Sequence, residues 1–448
     1  MKIAIIGCTH AGTAAVREIL RQAPETEVNI YERNDNISFL SCGISLYLNG
    51  RVKRLEDMFY DSAEDLRSAN IHVNLQHDVL RIDRNKKDLL IQSLEDYSIS
   101  HESYDKIILC TGSSVILPPI NGIDHSRVLL CKNYAQARQL YEASKDQRRI
   151  ALVGGGYVNV ELAESFATTG HEVTLFQSHE TILNNYVDEQ ISHKMMDLLT
   201  EHGVRVETRG NVVSFTDEED DLVVTTEDGR NFKTDIAVVS TGFVPETDLL
   251  QGQVKMDRKG AIITNKYGQS SDPDIYVAGD ARTIEYNPTG ASEYIPLATN
   301  AVRQGLIAGI NVFGNRWSEM GAQGTSAIEL FGHTLSTTGL TYARALKAGF
   351  DADFSFFEDS YRPGFMPSTE MITIVIVYDK KDLRILGAQF FSKYDVAQSA
   401  NTLSLAIQNR NTLKDLAFVD MLFQPYYDQP FNYINLAAQE GLKKEGLI

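Results

Sequence analysis

Two β–turn–α–β units with glycine-rich turns, one at the N-terminus and one restarting at Arg149, precede a strand-rich tail that has no such turn. Together they predict an α/β protein: two Rossmann-like nucleotide-binding domains and a C-terminal α+β domain. The first unit opens with the strand IAIIG after Lys2, turns through Gly7 to Gly12, and continues as a helical pattern from Thr13 to Gln22. A second strand, Glu27 to Tyr31, ends at Glu32, and YDKIILCTG from Tyr104 reads as a buried strand closing on Thr111-Gly112. The Pro/Gly-rich LPPING marks a crossover. The pattern then repeats as IALVGGGYVNVELAESFATTG and HEVTLFQ, and ends in a strand over 235–245. DIYVAGDA (274–281) reads as a strand that returns the chain to the first domain. From about 324, HTLSTTGL, FSFFED, MITIVIVYD and ILGAQFFS read as strands before a helical end. The expected division is 1–115 and 246–323 for the first domain, 116–245 for the second and 324–448 for the third, packed together because no linker-like segment intervenes.

A formal charge of −18 excludes the basic face that nucleic acid or an anionic membrane requires. No apolar run approaches the roughly 18 residues of a membrane span, and Lys2 is not followed by a signal-peptide pattern. Cys8, Cys42, Cys110 and Cys131 are scattered without CxxC or metal-ligand spacing, so no metal is expected. These features lead us to expect a cytoplasmic protein with reduced thiols.

In the first turn, Gly7-Cys8-Thr9-His10-Ala11-Gly12, glycine holds the first and last positions of GxGxxG and Thr9 the middle one. Such a turn brings backbone N–H groups to a pyrophosphate at a helix N-terminus. Glu32, at the end of the next strand, suits a pair of ribose hydroxyls. Asp280, after Gly279, suits a ribityl hydroxyl or a phosphate-bound water. The second turn, Gly154-Gly155-Gly156, leads through Tyr157 and Val158 to Asn159, which stands where a glycine normally permits close helix–strand packing. The helix is therefore expected to sit slightly farther out. The following strand ends at Gln177, where a site for NAD expects a carboxylate. Ser178 and His179 offer donors to a 2′-phosphate, but no arginine lies between Gln177 and Tyr186. Neutral drift in a tolerant loop is the alternative reading.

Cys42 precedes Gly43 and a helix-like Ile44 to Leu48, a setting that lowers a thiol pKa when the helix N-terminus faces the sulfur. The alternative is an inert core cysteine. The position five residues on, where a disulfide partner would stand, is Tyr47. The chemistry open to Cys42 is thus single-thiol: thiolate to sulfenic acid and back. Cys8, Cys110 and Cys131 read as structural. His10, inside the phosphate turn, is either a surface cap or a proton donor projecting toward Cys42.

GCTHAGT, YERND with ISFLSCGISLYL, YDKIILCTG, VGGGYVNVELAE, DPDIYVAGDA, YIPLATNAVRQG and MLFQPYYDQPFNY resemble, over essentially the whole chain, the water-forming NADH oxidases of lactic acid bacteria. These belong to the single-cysteine flavoprotein disulfide reductases, near NADH peroxidase and coenzyme A-disulfide reductase. The resemblance implies an FAD domain, an NAD(P) domain and a dimerisation domain in a homodimer. It implies His10 and Cys42 as the catalytic pair. It implies FAD contacts from Gly7, Cys8, Thr9, His10 and Ala11, and from Glu32, Cys42, Val79, Thr111, Gly112, Ser113, Lys132, Asp280, Leu297, Ala298 and Thr299. NADH or NADPH would be held around Gly154, Gly156, Tyr157, Val158, Asn159, Val160 and Glu161, the Gln177 position, Tyr186 and Gly242. Tyr157 matches the aromatic that covers the flavin until nicotinamide displaces it, and Phe423-Gln424-Pro425 the segment reaching the partner's site. The implied reaction is four-electron reduction of dioxygen to water, through a flavin hydroperoxide and then a Cys42 thiolate and sulfenic acid cycle. Ser41 before Cys42 and the FQP at 423–425 favour oxidase or peroxidase over coenzyme A-disulfide reductase. A non-catalytic flavin redox sensor is the reading from another class.

Overall fold

A computed structural model describes residues 1–448. The first sheet is five-stranded and parallel, in the order Ile275–Val277, Lys106–Leu109, Lys2–Ile6, Glu27–Glu32, Ile71–Leu75. The N-terminal strand lies in the middle and is covered on both faces. Ile3 and Ile5 pack with Ala15, Val16 and Ile19 of the helix His10–Gln22. Ala4 and Ile6 pack with Val79, Ile82 and Leu89 of an antiparallel three-stranded meander, His77–Asp83, Asp88–Ser93 and Ile99–Ser103. Burial of both faces accounts for the unbroken apolar run IAII in place of an alternating pattern. The chain leaves this strand for neighbours on both sides. Its C-terminal end is therefore a topological switch point, the position where open α/β sheets bind ligands.

The second sheet repeats the plan: Arg205–Glu207, Glu172–Phe176, Arg149–Val153, Ile236–Val239 and Val128–Leu129, all parallel. Here too the strand preceding the glycine turn is central. The third sheet is antiparallel, in the order Ser326–Leu330, His333–Gly339, Ile385–Ser392, Met371–Asp379, Ala352–Ser360. In its long strand Ile372, Ile374, Ile376 and Tyr378 share a core with Leu403, Ile407, Ala437 and Ala438 of the two C-terminal helices Ala397–Gln408 and Tyr433–Lys444. Val375 and Val377, on the opposite face, join the core that also contains Val160, Leu162 and Phe166 of the second unit. The second and third sheets thus share one apolar core, which Phe39, Ile44 and Leu48 from the segments flanking Cys42 also join. No helix is long and apolar enough to cross a membrane.

Three elements differ from the sequence expectation, each for a backbone reason. The first helix begins at His10, not Thr13, so Gly12 lies inside it. A Cβ on Gly12 would stand 2.1 Å from the Gly7 carbonyl oxygen, which explains why this position must be glycine. The expected strand 235–245 is two: Ile236–Val239 stays in the sheet, then Gly242 (φ 121°) redirects the chain. Phe243–Pro245 then pairs antiparallel with Ser113–Val115. Likewise 274–281 is a short strand, Ile275–Val277, followed by a turn over Gly279–Ala281 with Gly279 at φ 78°.

Candidate active site

The first turn is built by contact. Gly7 adopts φ 87°, and a Cβ on it would stand 2.4 Å from the Cys110 carbonyl oxygen. Glu32 is buried, and both its oxygens are engaged. One accepts the Cys8 N–H at 2.8 Å, the other the Asn34 N–H at 2.9 Å and its Nδ2 at 2.6 Å. The carboxylate is thereby fixed beside the turn. Burial holds its pKa above the ordinary value, with the Asn34 and Cys8 N–H groups opposing. Thr111 Oγ1 donates to the Glu246 carbonyl, and Gly112 takes φ 74°. Ser113, Lys132 and Asp280 meet in one cluster: Ser113 Oγ donates to Asp280 at 2.7 Å and accepts from Lys132 Nζ at 2.7 Å. Val79 is buried under the sheet, and Leu297, Ala298 and Thr299 form the start of the helix Ala298–Asn311, which has no side-chain cap. Its leading N–H groups are available to a ligand.

Cys42 lies in a turn, Ser41–Gly43, that runs into the helix Ile44–Leu48. The expectation of a lowered thiol pKa is corrected here. Burial, then Glu161 and Asp280, push the Cys42 thiol up, and only the local N–H and Lys132 oppose them. The helix behind the thiol has five residues, too few for a strong terminal dipole. His10 Nδ1 is 2.9 Å from the Tyr60 hydroxyl, and the two rings stack within 5° of parallel. Burial lowers the His10 pKa, with Asp280 raising it and Lys132 lowering it. Asp280 and Lys132 act on both His10 and Cys42, so both lie within electrostatic reach of the Ser113–Lys132–Asp280 cluster. Cys8, Cys110 and Cys131 are buried thiols with pKa values pushed well up, in keeping with structural roles.

The second unit approaches from the other side. Ser165 Oγ donates to the Ser45 carbonyl at 2.9 Å, seating the helix Tyr157–Thr168 on the helix behind Cys42. Gly154 (φ 110°) and Gly156, the uncapped start of that helix, form the turn. Glu161 lies within electrostatic reach of Cys42, and burial, then Glu164, push the Glu161 pKa up to about 7. The Tyr157 hydroxyl lies 3.1 Å from Thr337 Oγ1 and accepts from Ser326 Oγ at 3.0 Å, while its ring packs on Tyr186 at 4.2 Å. Gly242 accepts the Ile116 N–H where the chain passes between the two domains.

Three residues assigned to nucleotide binding are placed differently from expectation. Asn159 is fully buried, and its Nδ2 donates to the Val153 and Gly154 carbonyls, each at 2.9 Å. It fills the gap between helix and strand and braces the turn; the expected outward shift is a filled space. Val160 packs in the core, and its N–H donates to the Gly156 carbonyl. Gln177 is buried, and its Nε2 donates to the Thr181 carbonyl at 3.2 Å, away from a free role at a ribose. Val158 is half-buried beside them, and Ser178 and His179 lie exposed, 3.1 Å apart. An arginine absent from the local sequence arrives in space: the Arg209 N–H donates to the His179 carbonyl at 2.9 Å, and its guanidinium pairs with Glu180.

Sequence reasoning also missed Tyr60 and Tyr294. The Tyr294 hydroxyl is buried with no partner, and its ionisation is opposed by burial and Asp280 and eased by Ser113. An orphaned donor beside Ser113, Lys132 and Asp280, together with a glycine turn that excludes any Cβ, fits an extended polar cofactor such as FAD. Nothing in a local motif signals Tyr60, which is placed by the fold; Tyr294 opens the motif YIPLATNAVRQG, but its place beside Ser113 and Asp280 is visible only in the structure.

The family model for pyridine nucleotide-disulphide oxidoreductases matches residues 1–305, and the model for the dimerisation domain of those enzymes matches 325–432. The chain belongs to the pyridine nucleotide-disulphide oxidoreductase family. This oxidoreductase is 46% identical to an NADH oxidase of Enterococcus faecalis over 99% of this chain and 100% of that one. It is 34% identical to an NADH oxidase of Lactococcus lactis, over 98% and 99%. Among solved structures it is similar to the water-forming NADH oxidase from Lactobacillus brevis bound to NADH. The TM-score is 0.98 and the identity 47%, over 100% of this chain and 99% of that one. An engineered water-forming NADPH oxidase made from the Lactobacillus brevis enzyme and bound to NADPH matches equally, with TM-score 0.98. As a member of the family, the protein is an FAD-dependent oxidoreductase acting on a nicotinamide nucleotide.

Proposed function

We propose that this oxidoreductase reduces dioxygen to water with electrons from NADH or NADPH, and that it works in the cytoplasm. The observation that carries the reading is a lone thiol, Cys42, that lies with His10 within electrostatic reach of Lys132 and Asp280, and against the start of the second nucleotide unit. Full-length likeness to NADH oxidases, one of them water-forming, supports it. Bound FAD supplies acceptance of the hydride and transfer of electrons to dioxygen. It would be held by the Gly7 to Gly12 turn, Glu32, the Ser113–Lys132–Asp280 cluster and the start of the helix at Ala298. The nicotinamide nucleotide would lie against Gly154, Gly156, Tyr157, Glu161 and Tyr186.

The chain's own part concerns the peroxide. The Cys42 sulfur bonds to one peroxide oxygen as the O–O bond breaks, giving sulfenic acid and a leaving hydroxide, which becomes water on taking a proton. His10 donates a hydrogen bond to that leaving oxygen. Two electrons from a second nucleotide return Cys42 to thiolate and release the second water. In sum, two nucleotides and one dioxygen give two waters. An oxygen electrode tests this: adding catalase after NADH is consumed is expected to return no oxygen. A return of half the oxygen consumed would mean peroxide is the product and would overturn the reading.

We infer further that the working unit is a homodimer, with domains dividing at 1–115 plus 246–323, 116–245 and 324–448. Phe418, Val419, Leu422, Phe423, Tyr426, Tyr427 and Phe431 form an exposed apolar run within the segment matched by the dimerisation model. Such a run is costly to leave in water. Sedimentation at assay concentration is expected to give a dimer, and Phe423→Asp to shift it toward monomer with loss of turnover. A fully active monomer would refute the assignment.

A further inference from the structure

We propose that Tyr60 is a positioning residue for His10: its hydroxyl donates to Nδ1, fixing the ring and leaving the proton on Nε2. This rests on the reading that His10 assists peroxide cleavage. The geometry is a 2.9 Å contact from the Tyr60 hydroxyl to Nδ1, with parallel rings whose centroids are 5.7 Å apart.

The segment carrying Tyr60 is clamped to both catalytic partners. On one side it is tied to the chain leading into Cys42. Phe59 bridges Phe39, and the Leu40 N–H donates to the Met58 carbonyl at 3.0 Å. Ser38 Oγ donates to the Asp61 carbonyl at 2.6 Å and accepts the Asp61 N–H at 3.0 Å. On the other side it is tied to the helix that His10 opens. Arg17, seven residues on and so on the same helix face, grips the Asp61 carboxylate through two nitrogens, at 2.8 and 2.5 Å. The Asp61 side chain is only 4% exposed. Tyr60 is therefore held in place by a salt bridge and a short two-stranded contact, although its own ring is half exposed.

Hydrogen-bond logic assigns the tautomer. A phenol O–H needs an acceptor, and Nδ1 accepts only when the proton sits on Nε2. Thr13 is a second hydrogen-bonding neighbour of the Tyr60 hydroxyl, and it eases the phenol's ionisation as a donor to the oxygen does, which leaves the phenol proton for Nδ1. A carboxylate in this place would favour a charged imidazolium; a phenol fixes orientation and tautomer while leaving the ring neutral. The proton on Nε2 is then presented to the peroxide oxygen that leaves as the O–O bond breaks, with no reorientation needed at the moment of cleavage.

Two measurements on the flavin-loaded dimer test the assignment. The first is nitrogen NMR of histidine-labelled protein, with His10 identified by the signal missing from His10→Gln. The wild type is expected to show the Nε2–H form. Tyr60→Phe, which keeps the ring and loses the hydroxyl, is expected to show a mixture of both tautomers. The second is peroxide escape during NADH oxidation, expected to rise about tenfold in Tyr60→Phe, a fraction of the 10²–10⁴ attached to general acid catalysis. In His10→Gln, adding Tyr60→Phe is expected to change nothing further. An Nδ1–H wild type, an unchanged tautomer in Tyr60→Phe, or additive escape in the double variant would each overturn the role of Tyr60. If His10→Gln itself releases no extra peroxide, the reading of His10 fails instead, whatever the tautomer shows.

Discussion

Cys42→Ser is expected to turn the enzyme from a water-former into a peroxide-former. Serine keeps nearly the same volume at an exposed position, and Gly43, whose Cβ would stand 2.5 Å from Met58 Sδ, continues to set the backbone there. Folding and flavin binding are therefore expected to survive. What is lost is the nucleophile: a serine hydroxyl without an adjacent base does not attack peroxide, whereas a thiolate does. The reaction then stops after two electrons, with about one hydrogen peroxide released per nucleotide, because the cofactor's electron transfer does not depend on the thiol. Oxygen consumed per nucleotide is expected to double, and catalase to restore half of it. Water as the sole product of Cys42→Ser would remove Cys42 from the mechanism. Burial, then Glu161 and Asp280, oppose ionisation of the Cys42 thiol, and the local N–H and Lys132 favour it. Its reactivity is a property of the assembled site and not of the helix behind it.

The parts of this protein legible in its sequence are those with a local physical signature. Gly7 and Gly12 could be read because a Cβ at either would collide with backbone, and Gly154 because it takes a positive φ against Ser240. The strands of both parallel sheets could be read because burial on two faces leaves continuous apolar runs. The helix Ile44–Leu48 behind Cys42 was legible from the same kind of pattern. Asp280 was legible after its glycine turn, whereas Ser113 and Lys132, far from it in sequence, were named only through resemblance to a family; that the three share hydrogen bonds is visible only in the fold. The electrostatics of Cys42 differ from the sequence expectation because burial, and then Glu161 and Asp280 from two other segments, oppose its ionisation. Tyr60 was invisible for a related reason. Nothing near it in the chain marks it, and it reaches His10 only because Arg17 and Ser38 hold Asp61. Val160 lies in the core, because a motif gives positions while the direction of a side chain depends on the helix phase.

Gln177→Asp is expected to shift the nucleotide preference toward NADH by about tenfold or more, a change that requires only about 1.4 kcal/mol. In the wild type, the Gln177 amide nitrogen is committed to the Thr181 carbonyl, and the buried side chain lies against Gly155. It therefore offers a ribose at most a neutral acceptor, with about half the strength of a charged one. Nor does it repel a 2′-phosphate. The exposed Ser178 and His179 add donors, and Arg209 adds a cation beside them, partly neutralised by Glu180. Wild-type kcat/KM is accordingly expected to be comparable for NADH and NADPH. A carboxylate at 177 changes both sides of the comparison. It forms charge-assisted hydrogen bonds with the ribose hydroxyls of NADH and sets a like charge against the phosphate of NADPH. It also gives up the hydrogen bond to Thr181, so the loop over 178–184 loses a brace, and some loss of overall turnover accompanies the gain in selectivity. That an NADPH oxidase has been made from the Lactobacillus brevis NADH oxidase shows that preference in so similar an enzyme yields to substitution. The deciding measurement is kcat/KM for both nucleotides in wild type and Gln177→Asp. A wild type that already favours NADH by about a hundredfold, close to 2.7 kcal/mol, would mean that Gln177 does not set the choice. Discrimination would then lie in another group at this loop, with Arg209 the first to substitute.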